Sequence, residues 1–94
     1  MPFDVQLSPD AVKDLGALWA YDRAAVLDAM DRILRANPTL ESRSRIKRLQ
    51  QPAPTQFRMR VEDVRVYYDV EQNVVRVMRI LPKEATLDYL PRSS

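Results

Sequence analysis

Between Phe57 and Tyr68, arginines alternate with apolar residues: Phe57-Arg58-Met59-Arg60-Val61 and, after Glu62-Asp63, Val64-Arg65-Val66-Tyr67-Tyr68. A β-strand turns successive side chains to opposite faces, so Arg58 and Arg60 share one face while Phe57, Met59 and Val61 share the other. With Glu62-Asp63 as a turn, the returning strand brings Arg65 beside its partner, and three guanidinium groups converge. Guanidiniums match phosphate oxygens in geometry and charge, so RNA or another polyanion is the first partner this pattern suggests.

Other chemistries are bounded by what the chain lacks. Its 94 residues contain no histidine and no cysteine, which removes the commonest general base, the commonest metal ligand, thiolate chemistry and any disulfide framework. Metal-dependent catalysis would rest on carboxylates alone, and no cofactor or metal is called for. No apolar run approaches the roughly 20 residues of a membrane span, and the start MPFDVQLS lacks the blocks of a signal peptide, so a soluble, cytoplasmic protein is expected. The net charge of +2 conceals an asymmetry: residues 1–42 carry four basic and seven acidic side chains, residues 43–94 eleven basic and six acidic. The second half is the candidate binding half.

The elements that must position these arginines follow from periodicity. Phe3, Val5 and Leu7 alternate with Asp4 and Gln6, which predicts a short strand. Ser8-Pro9 opens a helix that carries Val12, Leu15, Leu18 and Trp19 to about Ala20. Asp22 is placed to cap a second helix, with an apolar stripe of Ala25, Val26, Ala29, Met30, Ile33 and Leu34, stopped by Asn37-Pro38. Trp19 and Met30 sit at core spacing. Residues 39–56 read as a basic connection, with a helical turn near Ile46 and Leu49 as one option. Strands are predicted near 56–62, 64–70 and 73–80, the last two joined by a Glu71-Gln72-Asn73 turn in which asparagine supplies the positive φ. Of the adjacent Tyr67 and Tyr68, one must face the core. Lys83 to Leu90 forms a short final helix or tail. The fold class is α+β over a single domain, residues 1–94: an N-terminal strand and two-helix hairpin packed on a four-stranded, mainly antiparallel sheet, with a short C-terminal helix.

Taken together, Val5-Gln6-Leu7-Ser8, Lys47-Arg48-Leu49, the two arginine strands, Val77-Met78-Arg79-Ile80, Lys83 and Tyr89 resemble the RelE/ParE superfamily of toxins from toxin/antitoxin pairs. The resemblance covers nearly the whole chain. Its RelE-like branch cleaves messenger RNA in the ribosomal A site, and its ParE-like branch acts on DNA gyrase by protein contact. Arg58, Arg60, Arg65, Lys83 and Tyr89 fit the positions that mark the ribonuclease branch, although that branch usually has lysine at the first two and arginine where Lys83 stands. Arginine is a poor proton acceptor, so a base role does not transfer to Arg58. The resemblance implies a ribosome-dependent endoribonuclease toxin with a cognate antitoxin, acting on ribosome-bound mRNA, and a toxin/antitoxin hetero-oligomer. A gyrase inhibitor or a catalytically degenerate RNA- or antitoxin-binding module are the alternatives.

For metal-free RNA cleavage, Arg58, Arg60 and Arg65 would stabilise charge on the phosphorane oxygens. Lys83 is the proton-transfer candidate, a role that needs it crowded by the guanidiniums. Glu62, Asp63 and Glu84 are the runner-up bases. Tyr89 could stack on a base or orient the 2′-hydroxyl. Arg43, Arg45, Lys47 and Arg48 suit phosphate contacts to RNA that read no sequence. Leu87 and Leu90 are candidate antitoxin-docking residues. Alternating arginines on their own are more often a solvated face, and Tyr89 is equally suited to packing.

Overall fold

The computed structural model describes residues 2–90 as one mixed sheet with helices on one face and a short helix on the other. Strands β1 (Asp4–Leu7), β2 (Ile46–Arg48), β3 (Phe57–Val61), β4 (Val64–Glu71) and β5 (Val74–Pro82) lie in the order β1-β5-β4-β3-β2. β1 runs parallel to β5, and every other neighbour is antiparallel. The meander β3-β4-β5 follows from its two tight turns, each holding a non-glycine residue at positive φ, Glu62 at 52° and Gln72 at 57°. The left-handed position of the second turn is therefore Gln72 rather than the expected Asn73.

Helix α1 (Pro9–Ala17) begins as expected, with Ser8 Oγ accepting from the Ala11 N–H at 3.0 Å and proline in the first turn. It ends earlier than predicted. Leu18 is extended, and the side chain of Arg23 fills the corner by donating to the carbonyls of Leu15, Gly16 and Leu18 at 3.2, 3.2 and 2.8 Å. This break carries Trp19 off the helical face, so Trp19 is 83% exposed and not a core residue. Helix α2 (Ala20–Ala29) has Trp19 at its N-cap without a side-chain cap, and Asp22 lies inside its first turn instead of capping it. A π-helical segment, Met30–Leu34, continues it. The predicted stripe packs as expected: Val26, Ala29, Met30 and Leu34 are buried against Phe57, Met59, Val66, Tyr68 and Val77.

The main correction concerns residues 46–48. They form a fifth strand, not a helical turn, because Ile46, Lys47 and Arg48 pair with Met59, Arg58 and Phe57. Its outer edge is closed locally: Ser42 N–H donates to the Ile46 carbonyl at 2.9 Å, and the Glu41 carboxylate accepts from the Arg48 N–H at 2.9 Å. A three-residue edge strand with basic side chains and a covered edge resists pairing with other chains. The C-terminal segment is a 3₁₀ turn, Lys83–Ala85, followed by helix α3 (Thr86–Tyr89).

Candidate functional site

Register assembles the cationic face. Directly opposed residues on neighbouring strands point the same way, so the pairings Lys47–Arg58, Arg58–Tyr67 and Tyr67–Arg79 make one row across four strands. A second row pairs Arg60 with Arg65. Arg45 extends it, since the Arg60 N–H donates to the Arg45 carbonyl at 2.8 Å and alternation puts Arg45 on the side of Lys47. Arg58, Arg60 and Arg65 thus converge, as their spacing predicts.

Arg65 stands at the centre and is only 8% exposed. Its Nη1 donates to the carbonyls of Val64 and Glu62 at 3.2 and 3.4 Å, and no carboxylate pairs with it among the described residues. Burial, followed by the charges of Arg58 and Arg60, pushes its pKa down, against smaller opposing contributions from Tyr67 and Asp63. Guanidinium groups so crowded carry an electrostatic cost that an anion would relieve.

Two donors beside it are unfinished. Arg58 Nε and the Tyr67 hydroxyl are buried without a hydrogen-bond partner among the described residues. They belong to directly opposed residues. Burial raises the Tyr67 pKa, while Thr86, Arg58 and Arg65 pull it the other way, so the phenol stays a neutral donor at physiological pH. Thr86 lies close enough to act on Tyr67, but its hydroxyl donates to the Lys83 carbonyl at 2.8 Å and does not meet hydrogen-bond geometry with the phenol. Buried polar groups are ordinarily satisfied, so a pair of orphaned donors next to an unpaired guanidinium marks a place shaped for an acceptor.

The other sequence candidates divide. Lys83 is exposed, its N–H donating to the Asp63 carbonyl at 2.7 Å, and it is not among the charges that act on Arg65. Tyr89 packs its ring on Tyr67, centroids 4.9 Å apart, with Arg79 standing 5.7 Å over it. Arg79 is itself held by Asp14 through contacts of 2.7 and 3.0 Å. The basic run splits in the same way. Arg45 and Lys47 join the face, Arg48 lies 4.6 Å over the Phe57 ring on the core side, and Arg43 lines a separate hollow with Glu41, Ser42, Ile46 and Lys47. Glu62 shares a hollow with Ser44, Arg45 and Arg60. Leu87 is 80% exposed, and Leu90 lines a shallow gap with Pro52, Ala53, Pro54, Asp88 and Tyr89. Tyr67 and Arg79 were not among the predicted site residues. Tyr67 was legible as the residue two beyond Arg65, whereas Arg79 reaches this face through a bulge.

Comparison with known proteins places the fold. The fold matches that of the RelBE2 toxin-antitoxin complex from Mycobacterium tuberculosis, with TM-score 0.73 and 23% identity, over 87% of this chain and 99% of that one. It also matches the archaeal RelE-RelB complex from Pyrococcus horikoshii, with TM-score 0.71, 24% identity and coverage of 88% and 97%. The RelB-RelE complex from Methanococcus jannaschii gives TM-score 0.70, 21% identity and coverage of 90% and 98%. No curated protein sequence matches. Residues 5–86 match the family described as the ParE toxin of the type II toxin-antitoxin system parDE, and the chain belongs to that family. It is a RelE/ParE-superfamily toxin.

Proposed function

We propose that this toxin is a ribosome-dependent endoribonuclease that cuts translated messenger RNA without a metal and is held in check by a cognate antitoxin. The observation that carries this reading is the unpaired Arg58–Arg60–Arg65 cluster with the orphaned donors of Arg58 and Tyr67 beside it. The 2′-hydroxyl attacks phosphorus in line, the bond from phosphorus to the 5′-oxygen breaks, and the products are a 2′,3′-cyclic phosphate and a 5′-hydroxyl. Arg65 and Arg58 hold the equatorial oxygens as their charge grows, and Tyr67 donates as a neutral phenol. Fixed donors of this kind need no reorganisation at the moment of reaction. Arginine remains protonated, so another group takes the 2′ proton. Glu62 is exposed like Lys83, but it shares a hollow with Arg45 and Arg60, which puts it beside the cluster and favours it for this role. Lys83, at the end of β5, is free to return a proton to the leaving oxygen.

Arg45 and Lys47 prolong the face and supply phosphate contacts along the message or ribosomal RNA, which positions the toxin without reading sequence. The antitoxin would set carboxylates against the same arginines, and Leu87 offers it an apolar handle.

A second reading is inhibition of DNA gyrase by protein contact. The ParE family match favours it, as does the packing of Tyr89 against Tyr67, which withdraws that ring from stacking on a base. A reconstituted translation reaction and a gyrase supercoiling reaction, each with purified toxin, separate the two. Message cleavage that depends on ribosomes, with supercoiling intact, is the outcome proposed. Inhibited supercoiling with intact message assigns the gyrase activity instead.

A further inference from the structure

The helical corner at the end of the sheet carries two aromatic rings that the core does not use. Trp19 is 83% and Tyr21 72% exposed, the largest such rings on the described surface. The corner is not a loose loop. Arg23 ties it to three carbonyls of the preceding turn, and the Tyr21 hydroxyl meets the Glu62 carboxylate at 3.4 Å. Glu62 belongs to the β3–β4 turn, immediately beyond the Val61–Val64 pair that follows Arg60–Arg65. Tyr21 therefore stands at the same end of the sheet as Arg60 and Arg65, across that turn from them, and Trp19 lies two residues before it at the start of α2.

Two exposed aromatic rings on one fixed corner offer flat apolar surface to a partner. Its chemistry is indicated by the neighbouring charge. Glu62 shares a hollow with Arg45 and Arg60, yet neither Arg60 nor Arg65 makes an ion pair among the described residues. Such guanidiniums call for phosphate, and flat aromatic faces near a phosphate track are the usual platform for unpaired bases. We infer that Trp19 and Tyr21 form a base-stacking platform for single-stranded RNA whose phosphates lie on Arg60 and Arg65. This rests on the ribonuclease reading and adds to it a place where nucleotides outside the cut are held. Tyr21 reaches Glu62 through its hydroxyl, and Arg23 fixes the backbone turn that carries Trp19.

Trp19 is the chain's one tryptophan, so its fluorescence reports on this surface alone. Purified toxin is titrated with an end-labelled single-stranded oligoribonucleotide carrying a 2′-O-methyl group at each position to prevent cleavage, and with an abasic oligomer of the same backbone and length. Anisotropy of the label reads binding, and tryptophan emission reads stacking. The expected result is quenching by the base-bearing oligomer only, with Trp19→Ala and Tyr21→Ala each weakening its binding roughly tenfold and leaving the abasic oligomer unaffected. Binding that Arg60→Met or Arg65→Met removes, with Trp19 emission and Trp19→Ala affinity unchanged, overturns the platform and leaves the arginine reading standing. Binding insensitive to Arg60→Met and Arg65→Met overturns the arginine reading itself. If Trp19→Ala loses antitoxin while retaining RNA affinity, the corner is a protein-docking surface and the inference is wrong.

Discussion

Tyr68 and Tyr67 are neighbours on β4, and the sheet treats them in opposite ways. On the helix side, Tyr68 stacks on Phe57 at 5.5 Å and donates to the Pro38 carbonyl at 2.6 Å, so both its ring and its hydroxyl are satisfied. On the other side, Tyr67 is equally buried under Tyr89, yet among the described residues its hydroxyl has no partner and its cross-strand neighbour Arg58 has an orphaned Nε. One face of the sheet is finished by the protein itself. The other keeps two buried donors without a partner among the described residues, which in the proposed function a phosphate completes. Arg79 is the instructive exception, a guanidinium on the unfinished side that Asp14 neutralises and that serves the fold.

The contrast can be broken by substitution, and the largest effect falls on the unfinished face. Arg65→Met keeps the buried stem and removes the charge, and cleavage of ribosome-bound message should fall by about 100-fold or more. Thermal unfolding of the same variant should show stability held or increased, because a repelled guanidinium has been removed. Activity and stability falling together would mean that Arg65 is structural.

Asp14→Asn addresses the paired guanidinium and should cost about 2 kcal/mol in urea unfolding, the order expected for a lost charge-assisted pair. Burial pushes the Asp14 carboxyl up, but hydrogen bonds from Arg79 and the Ile80 N–H, with the charge of Arg79, outweigh it and leave the pKa below 3.8. A depressed carboxylate contributes stability that is full above its unfolded value and is lost as pH falls through its folded value. The difference between parent and Asp14→Asn should therefore shrink from about pH 6 to about pH 2. A difference that grows on acidification would contradict this assignment.

The tyrosine pair gives the smaller effects. Tyr68→Phe leaves the Pro38 carbonyl unpaired in the core and should cost about 1.5 kcal/mol in the same unfolding assay. Tyr67→Phe removes an orphaned hydroxyl and should change stability by less than about 0.5 kcal/mol, or raise it, while slowing cleavage. Equal destabilisation by both substitutions would erase the difference between the faces.

The strands and their cationic face were legible in the sequence because a two-residue period is a local signal, and Arg58, Arg60 and Arg65 needed only a turn between them. β2 was not legible. A single buried residue, Ile46, is too little periodicity to distinguish a strand from a basic loop, and the strand exists through its pairing with β3. Trp19 misled because helical spacing was extended past Leu18, where the chain leaves the helix and Arg23 closes the corner. Arg79 was hidden by parity. Tyr67 pairs with Arg79 but Tyr68 with Val77, so Met78 is the extra residue of a bulge. The bulge lets Val77 and Ile80 both face the core and turns Arg79 to the opposite side. Lys83 fitted its motif by spacing, but spacing along the chain does not report exposure.

The most direct test of the central claim is to induce the toxin without its antitoxin in bacteria and map new 5′ ends on a translated message, alongside Arg65→Met at equal expression. New ends confined to translated codons, bearing 5′-hydroxyls and lost in the variant, are the predicted result. Growth arrest with intact messages, equal for parent and variant, would contradict it and move the toxin's action to a protein target.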